Sequence, residues 1–205
     1  MKIPLLVCIL LATRCFALEP ISEAAKKLNL ALDAMHVEEH WIAGTIVNWS
    51  TGEPTGKVIT DDAKHTHCSQ FAAAACDRLG IYLLHPPEHS SVLLANAQYD
   101  WLPTANALKK GWNLVADGAG AQDFANKGHL VVAVYKNPDP KKSGHIAIIR
   151  PGTRSPEELS SAGPDIIQAG GHNYNYNTLK KGFANHPDAF SKNEIRFYEH
   201  APVSR

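Results

Sequence analysis

The spacing of apolar residues changes near residue 112, and that change limits the fold more than any single motif. Before it, apolar positions recur at helical spacing. Ala24, Leu28, Ala31, Leu32 and Met35 share one face of a helix expected over residues 21–40. A second helix is expected from Cys68 to Leu79, rich in alanine and stopped by Gly80. A third is expected over residues 91–108, interrupted at Pro103. After the change come short β-branched or aromatic runs at residues 112–115, 130–135, 145–150, 166–169 and 195–198. Turns such as Asn137-Pro138-Asp139-Pro140 and Pro151-Gly152 separate them. Residues 41–59, broken by four Gly or Pro positions, read as loop with one hairpin, and residues 151–164 read as a long polar loop. Helices first and strands second predict an α+β fold with an antiparallel sheet, not a doubly wound one. No repeat or linker divides residues 18–205, which have the length of one ordinary domain.

Residues 1–17 stand apart. Lys2 precedes a short apolar run from Ile3 to Ala12, and a small-residue site ends at Cys15-Phe16-Ala17. This is the pattern of a secretory signal peptide, and the run is too short to span a membrane. Arg14 before Cys15 argues against a lipoprotein anchor, so no membrane anchor is expected after signal removal, and the expected location is periplasmic or secreted. Without Lys2 and Arg14 the 20 basic residues fall to 18 against 20 acidic, a net charge of about −2. With no basic block, nucleic acid is excluded as an expected partner.

The cysteines carry more information than their number suggests. Cys8 and Cys15 leave with the signal, and Cys68 and Cys76 remain. Eight residues apart on one helix, their Cα atoms would lie about 12 Å apart, whereas a disulfide needs them within roughly 7 Å. Unpaired thiols are uncommon in exported proteins, so Cys68 calls for a reason. Its place in the first turn of a helix supplies one, because backbone N–H groups and the positive end of the helix dipole favour a thiolate. A half-buried structural cysteine is the alternative. Cys76 reads as simply buried.

A cysteine nucleophile needs a base, and the base needs an orienting partner. Among 11 histidines, His145 is favoured because it opens a strand and follows Gly144, which leaves room for a substrate backbone. Alternation sets His145, Ala147 and Ile149 on one sheet face, expected to be the face that the Cys68 helix covers. On the following strand Gln168 is a lone polar side chain in an apolar run, costly to bury without partners. Its amide oxygen suits a histidine N–H, the task of a third triad member. His172 and Asn173 lie just beyond and compete for that role. His67 and Asn173 are the candidate substrate-binding residues.

Other groupings read as bland. His36 and His40 are four apart at the edge of the first helix. His85 and His89 have the same spacing, but Pro86 and Pro87 forbid the helix that would align them. The His-Glu-x-x-His spacing of zinc peptidases does not occur. No metal site and no cofactor is expected.

Taken in order, several of these stretches resemble the NlpC/P60 and CHAP group of papain-like cysteine peptidases and amidases. His67-Cys68-Ser69-Gln70-Phe71 followed by Leu79-Gly80-Ile81 and His85-Pro86-Pro87 is similar to the nucleophile helix and what succeeds it. Lys127-Gly128-His129-Leu130-Val131 resembles the group's Gly-Asp-Leu-Val strand entry, and Ser143-Gly144-His145-Ile146-Ala147-Ile148-Ile149 its base strand. Gln168 falls on the strand where the group keeps its third polar residue. His67 and His129 depart from the pattern, each standing where an aspartate is usual. The resemblance spans roughly residues 60–175. It implies a papain-like fold and cleavage of amide bonds in peptidoglycan, either within stem peptides or where peptide joins sugar, by Cys68, His145 and Gln168. A non-catalytic binding or inhibitor module on the same scaffold is the alternative.

Overall fold

The computed structural model describes residues 20–61 and 64–203, so the expected signal segment lies outside the described residues. Among these residues the elements run α1 (Glu23–Asp33), α2 (Cys68–Arg78), α3 (Leu94–Trp101), α4 (Ala105–Lys109), β1 (Trp112–Val115), α5 (Gly118–Asn126) and β2 (Leu130–Tyr135). They continue with β3 (His145–Ile149), α6 (Pro156–Ala162), β4 (Asp165–Gln168), β5 (Tyr174–Thr178), α7 (Leu179–Gly182), α8 (Pro187–Ser191) and β6 (Arg196–His200). The fold is α+β. One sheet has the order β1-β6-β2-β3-β4-β5, and every neighbouring pair in it is antiparallel.

Both faces of the sheet are covered. On one, α2 and α3 pack over Val132, Val134, Ile146, Ile148, Ile167 and Tyr198, with Leu28 and Leu32 of α1 in the same apolar cluster. On the other, α5 and α7 pack over Val131, Ala133, Ala147, Ile149 and Ile166. Central strands β2 and β3 are therefore buried at every position, which is why they read as unbroken apolar runs.

Helix α2 lies at the centre of the first layer. Residues 68–76 are buried all round its circumference, with Phe71 and Cys76 fully enclosed. The alanines permit this, since a small side chain lets the helix backbone lie close to the sheet. At its end Gly80 takes φ 74°, its N–H bonds to the Asp77 carbonyl, and the Ile81 N–H bonds to the Cys76 carbonyl. This is the paired closing bond of a Schellman stop, where glycine avoids the Cβ penalty of the left-handed region.

Several expectations need correction. The first helix stops at Asp33 rather than reaching residue 40, because His36 sits at φ 49° and turns the chain. Its buried face carries Ala25 in place of Ala24, together with Leu28 and Leu32. The loop over residues 151–164 contains α6, whose start is fixed by a reciprocal Ser155–Glu158 capping box. The break at Pro103 is present, between α3 and α4. The hairpin in residues 41–59 is a single bridge, Val47 with Pro54.

Gly144 is a further correction. A Cβ there would collide with the Tyr135 carbonyl oxygen and lie 2.6 Å from Asn96 Oδ1. Its space belongs to the hairpin, not to a substrate. Asn96 Oδ1 accepts from the Gly144 N–H at 2.8 Å and the Asn137 N–H at 3.2 Å, and Asn96 Nδ2 donates to the Lys142 carbonyl at 2.9 Å. One buried amide thus closes the β2–β3 connection and sets where His145 begins. Gly144→Ala is expected to cost about 1–3 kcal/mol as a small-to-large change in a packed site. Urea unfolding measures it, and an unchanged midpoint would contradict this packing.

Candidate active site

Cys68 is the first residue of α2. Its predecessor His67 occupies the cap position but makes no side-chain capping bond, so that side chain leaves the first-turn N–H groups free for other partners. The N–H groups of Cys68 itself, Ser69 and Ile146 lie toward the sulfur and favour its anion. Burial outweighs them and pushes the thiol above its ordinary value. The resting group is a thiol. The expected thiolate is thus not the ground state, because complete desolvation costs more than three backbone donors return.

His145 opens β3, and its Nε2 lies 2.8 Å from Gln168 Oε1 at the end of β4. Gln168 Nε2 donates to the His172 carbonyl at 3.3 Å, which fixes the amide with its oxygen toward the imidazole. A neutral His145 therefore carries its proton on Nε2 and keeps the Nδ1 lone pair. Phe183 meets the imidazole edge-on at 4.7 Å between ring centroids and closes that side against water. Burial also pushes His145 below its ordinary value, partly offset by the Gln168 bond. Cys68 and His145 are both neutral at rest.

The faces differ from expectation. Helix α2 covers Ile146 and Ile148, whereas Ala147 and Ile149 face α5 and α7. His145 and Gln168 share the α7 face, where Phe183 and His186 meet the imidazole. Cys68 comes from the other face and reaches the strand at Ile146, the residue next to His145. The β3–β4 ladder pairs Ile148 and Ile149, so the strands have already parted at His145 and Ile146. Among the described residues no hydrogen bond joins the sulfur to the imidazole, and the two are linked through one backbone step.

The two candidate substrate-binding residues are tied inside the protein. Asn173 Oδ1 accepts from the Gly170 N–H at 2.9 Å, and its Nδ2 donates to the carbonyls of Val37 at 2.6 Å and His40 at 2.8 Å. It braces the turn after Gln168 against the segment following α1. His67 contacts Gln70 Oε1 at 2.7 Å through Nδ1 and the Thr45 carbonyl at 3.0 Å through Nε2. Among the described residues no group of three or more His, Cys, Asp or Glu is placed to hold a metal. His36 and His40 do not share a helix face, since α1 ends before them. No described helix is long and apolar enough to cross a membrane.

Three residues that shape the site gave little signal in the sequence. Gln98, fully buried on α3, donates to the carbonyls of Ser69 at 3.1 Å and Leu84 at 2.9 Å, pinning the first turn of α2 to the segment behind it. Phe183 and His186 follow a strand that sequence patterning missed. The His186 ring stacks over His145 at 6.1 Å, and burial, then the repulsion that the two rings would feel if both were protonated, pushes it below the usual histidine range.

His67, His145 and His186 are thus all held below the usual histidine value, with burial the largest cause in each. Their unfolded counterparts take up protons first as pH falls through about 6.5. The stability these groups contribute as neutral rings is present above that pH and is lost from there down toward their lower folded values. Urea midpoints are expected to fall as the pH is lowered from about 7.5 to about 5.5. Equal midpoints would contradict the assignment of three histidines held below the ordinary value.

No protein-family model matches the chain, and no curated protein does.

Proposed function

We propose that the protein is an exported cysteine hydrolase of papain-like type that cleaves amide bonds, with peptidoglycan peptides as the substrate class. The observation that carries this reading is the His145 Nε2–Gln168 Oε1 bond of 2.8 Å on the strand whose second residue, Ile146, directs its N–H at Cys68. A helix-start cysteine, a strand-start histidine and an amide that orients it are the parts of a nucleophile, base and orienter. The motif resemblance over residues 60–175 supplies the substrate class.

The protonation states define the order of steps. As the sulfur attacks the scissile carbonyl, its proton passes to His145 Nδ1, the nitrogen that Gln168 leaves unprotonated. A C–S bond forms, and the carbonyl oxygen takes the negative charge. The Cys68 N–H at the helix start is a donor for that oxyanion. His145, now imidazolium, returns the proton to the leaving nitrogen as the C–N bond breaks, leaving a thioester. Water then attacks the thioester with His145 Nδ1 as base, which releases the acid and restores the thiol. Gln168 holds the tautomer throughout. Cys68 and His145 come from opposite faces of the sheet and share no hydrogen bond among the described residues, so the first proton transfer requires substrate binding to bring the sulfur and Nδ1 together where β3 and β4 part.

The same feature favours a second reading, a binding module whose cysteine does no chemistry. A small neutral alkylating agent does not separate the two, because burial slows it in either case. A peptide carrying an electrophilic carbonyl does separate them. Rapid, saturable labelling of Cys68 supports the hydrolase, and labelling no faster than in unfolded protein supports the binding module.

A further inference from the structure

We propose that His67, Gln70 and Ser91 form a two-state proton relay that sets the charge beside Cys68 and positions the start of α2 between two flanking segments. The role of this relay in chemistry rests on reading Cys68 as the nucleophile. The relay itself does not.

The bonds permit only two consistent patterns. His67 Nε2 faces the Thr45 carbonyl at 3.0 Å, with the Ile42 carbonyl also toward the ring, and a carbonyl can only accept. Nε2 therefore always carries a proton. Nδ1 lies 2.7 Å from Gln70 Oε1, and Gln70 Nε2 donates to Ser91 Oγ at 2.8 Å. In that arrangement Nδ1 must donate as well, so the ring is an imidazolium. When His67 is neutral, Nδ1 accepts, the Gln70 amide turns by half a rotation to present its nitrogen, and the Ser91 hydroxyl reverses to donate to Gln70 Oε1. Every bond in the chain changes direction together. His67 and Gln70 are both buried, so neither pattern is replaced cheaply by solvent.

The consequences fall on the nucleophile. His67 is the residue before Cys68, and an imidazolium there adds a positive charge beside a thiol that burial otherwise keeps protonated. Thr45 lies in the segment between α1 and α2, and Ser91 in the segment between α2 and α3. One ring thereby joins both to the helix start, and a reversal in the relay is felt by both. The titratable groups facing His67 are His65, itself 2.7 Å from Asp61, and the adjacent Cys68. The segments of Thr45 and Ser91 present a carbonyl and a hydroxyl to the relay, with no charge. His65 opposes protonation of His67, and burial opposes it more strongly. The imidazolium state accordingly belongs to mildly acidic conditions.

The test is a pH titration of the folded chain labelled with nitrogen-15 at histidine, read by ring proton–nitrogen correlation. His67 Nε2 is expected to stay protonated throughout. Nδ1 is expected to change from a donor to a lone pair at an inflection below the ordinary histidine value, because burial opposes the charged ring. Gln70→Glu, which presents only acceptor oxygens, is expected to move the inflection up by about one pH unit or more. Gln70→Leu, which removes the acceptor of the charged state, is expected to move it down. A His67 ring that keeps one protonation state over the whole folded range overturns the proposal, as does an inflection that neither variant moves. If Gln70→Glu fails to fold, Gln70→Leu alone decides. The titration needs no substrate, so its failure is separate from any failure of the hydrolase reading.

Discussion

Cys68→Ala is expected to fold as the native chain does and to lower amide hydrolysis of peptidoglycan fragments by at least about two orders of magnitude, the scale on which members of a catalytic unit are lost. If the sulfur and the imidazole act as one unit, as proposed, His145→Ala should match it, since removing either then leaves the other idle. Folding is not at issue for the cysteine variant. Cys68 belongs to the same buried core as Phe71, Ala72, Ala75 and Cys76, but the change removes only the sulfur and alanine is a good helix former. His145→Ala uncovers the Gln168 amide in a buried place and costs stability of about 1–3 kcal/mol as an unsatisfied polar group. Its activity should thus be measured well below its unfolding temperature. The informative comparison is the double variant. If the two residues form one unit, Cys68→Ala with His145→Ala is no slower than either alone.

Gln168→Leu should lower kcat by about one to two orders of magnitude while leaving KM close to native, because the amide acts on the base and touches no substrate. Gln168 Oε1 receives the Nε2 proton and thereby reserves Nδ1 for proton transfer. With leucine that preference disappears, and a share of the neutral rings carries the proton on the wrong nitrogen. Gln168→Glu tests the same idea in the opposite direction. A carboxylate facing Nε2 stabilises the imidazolium, so the acid limb of the rate profile should move to higher pH. A structural role alone would lower the amount of folded protein and leave that limb where it was. Rates and pH profiles of both variants, corrected for folded fraction, distinguish the two roles.

Much of this arrangement was legible in the chain, for reasons that differ from residue to residue. Helix α2 was legible at both ends, since Gly80 imposes its stop and the alanine run its body. Strands β2 and β3 were legible because a buried central strand must be apolar at every position. Gln168 was legible as an anomaly, a costly side chain that needed the partner it has. Strand β5 was missed because Tyr174-Asn175-Tyr176-Asn177-Thr178 is a half-exposed edge with no apolar alternation. Helix α5 was missed because Gly118 and Gly120 argue against a helix, whereas Asp117 caps it by accepting from the Gly120 N–H. The face of β3 that meets α2 was misjudged for a different reason. Alternation tells which residues share a face, not which face a distant helix will cover.

His67 illustrates the limit best. Its position before Cys68 marked it as a candidate for binding substrate, yet both ring nitrogens are engaged within the protein. Thr45 is 22 residues away in the chain and Ser91 is 21 residues beyond Gln70. No local pattern announces a bond across such distances. The chemistry of a single residue is readable from its type, and its partners only from the fold.

The central claim is that Cys68 becomes covalently acylated during turnover. The direct measurement is acid-quenched mass spectrometry of the protein mixed with peptidoglycan fragments, followed by peptide mapping. The predicted result is an acyl adduct on the peptide bearing Cys68, absent from Cys68→Ala. Fragment cleavage with no adduct on the protein, proceeding undiminished in Cys68→Ala, would contradict it.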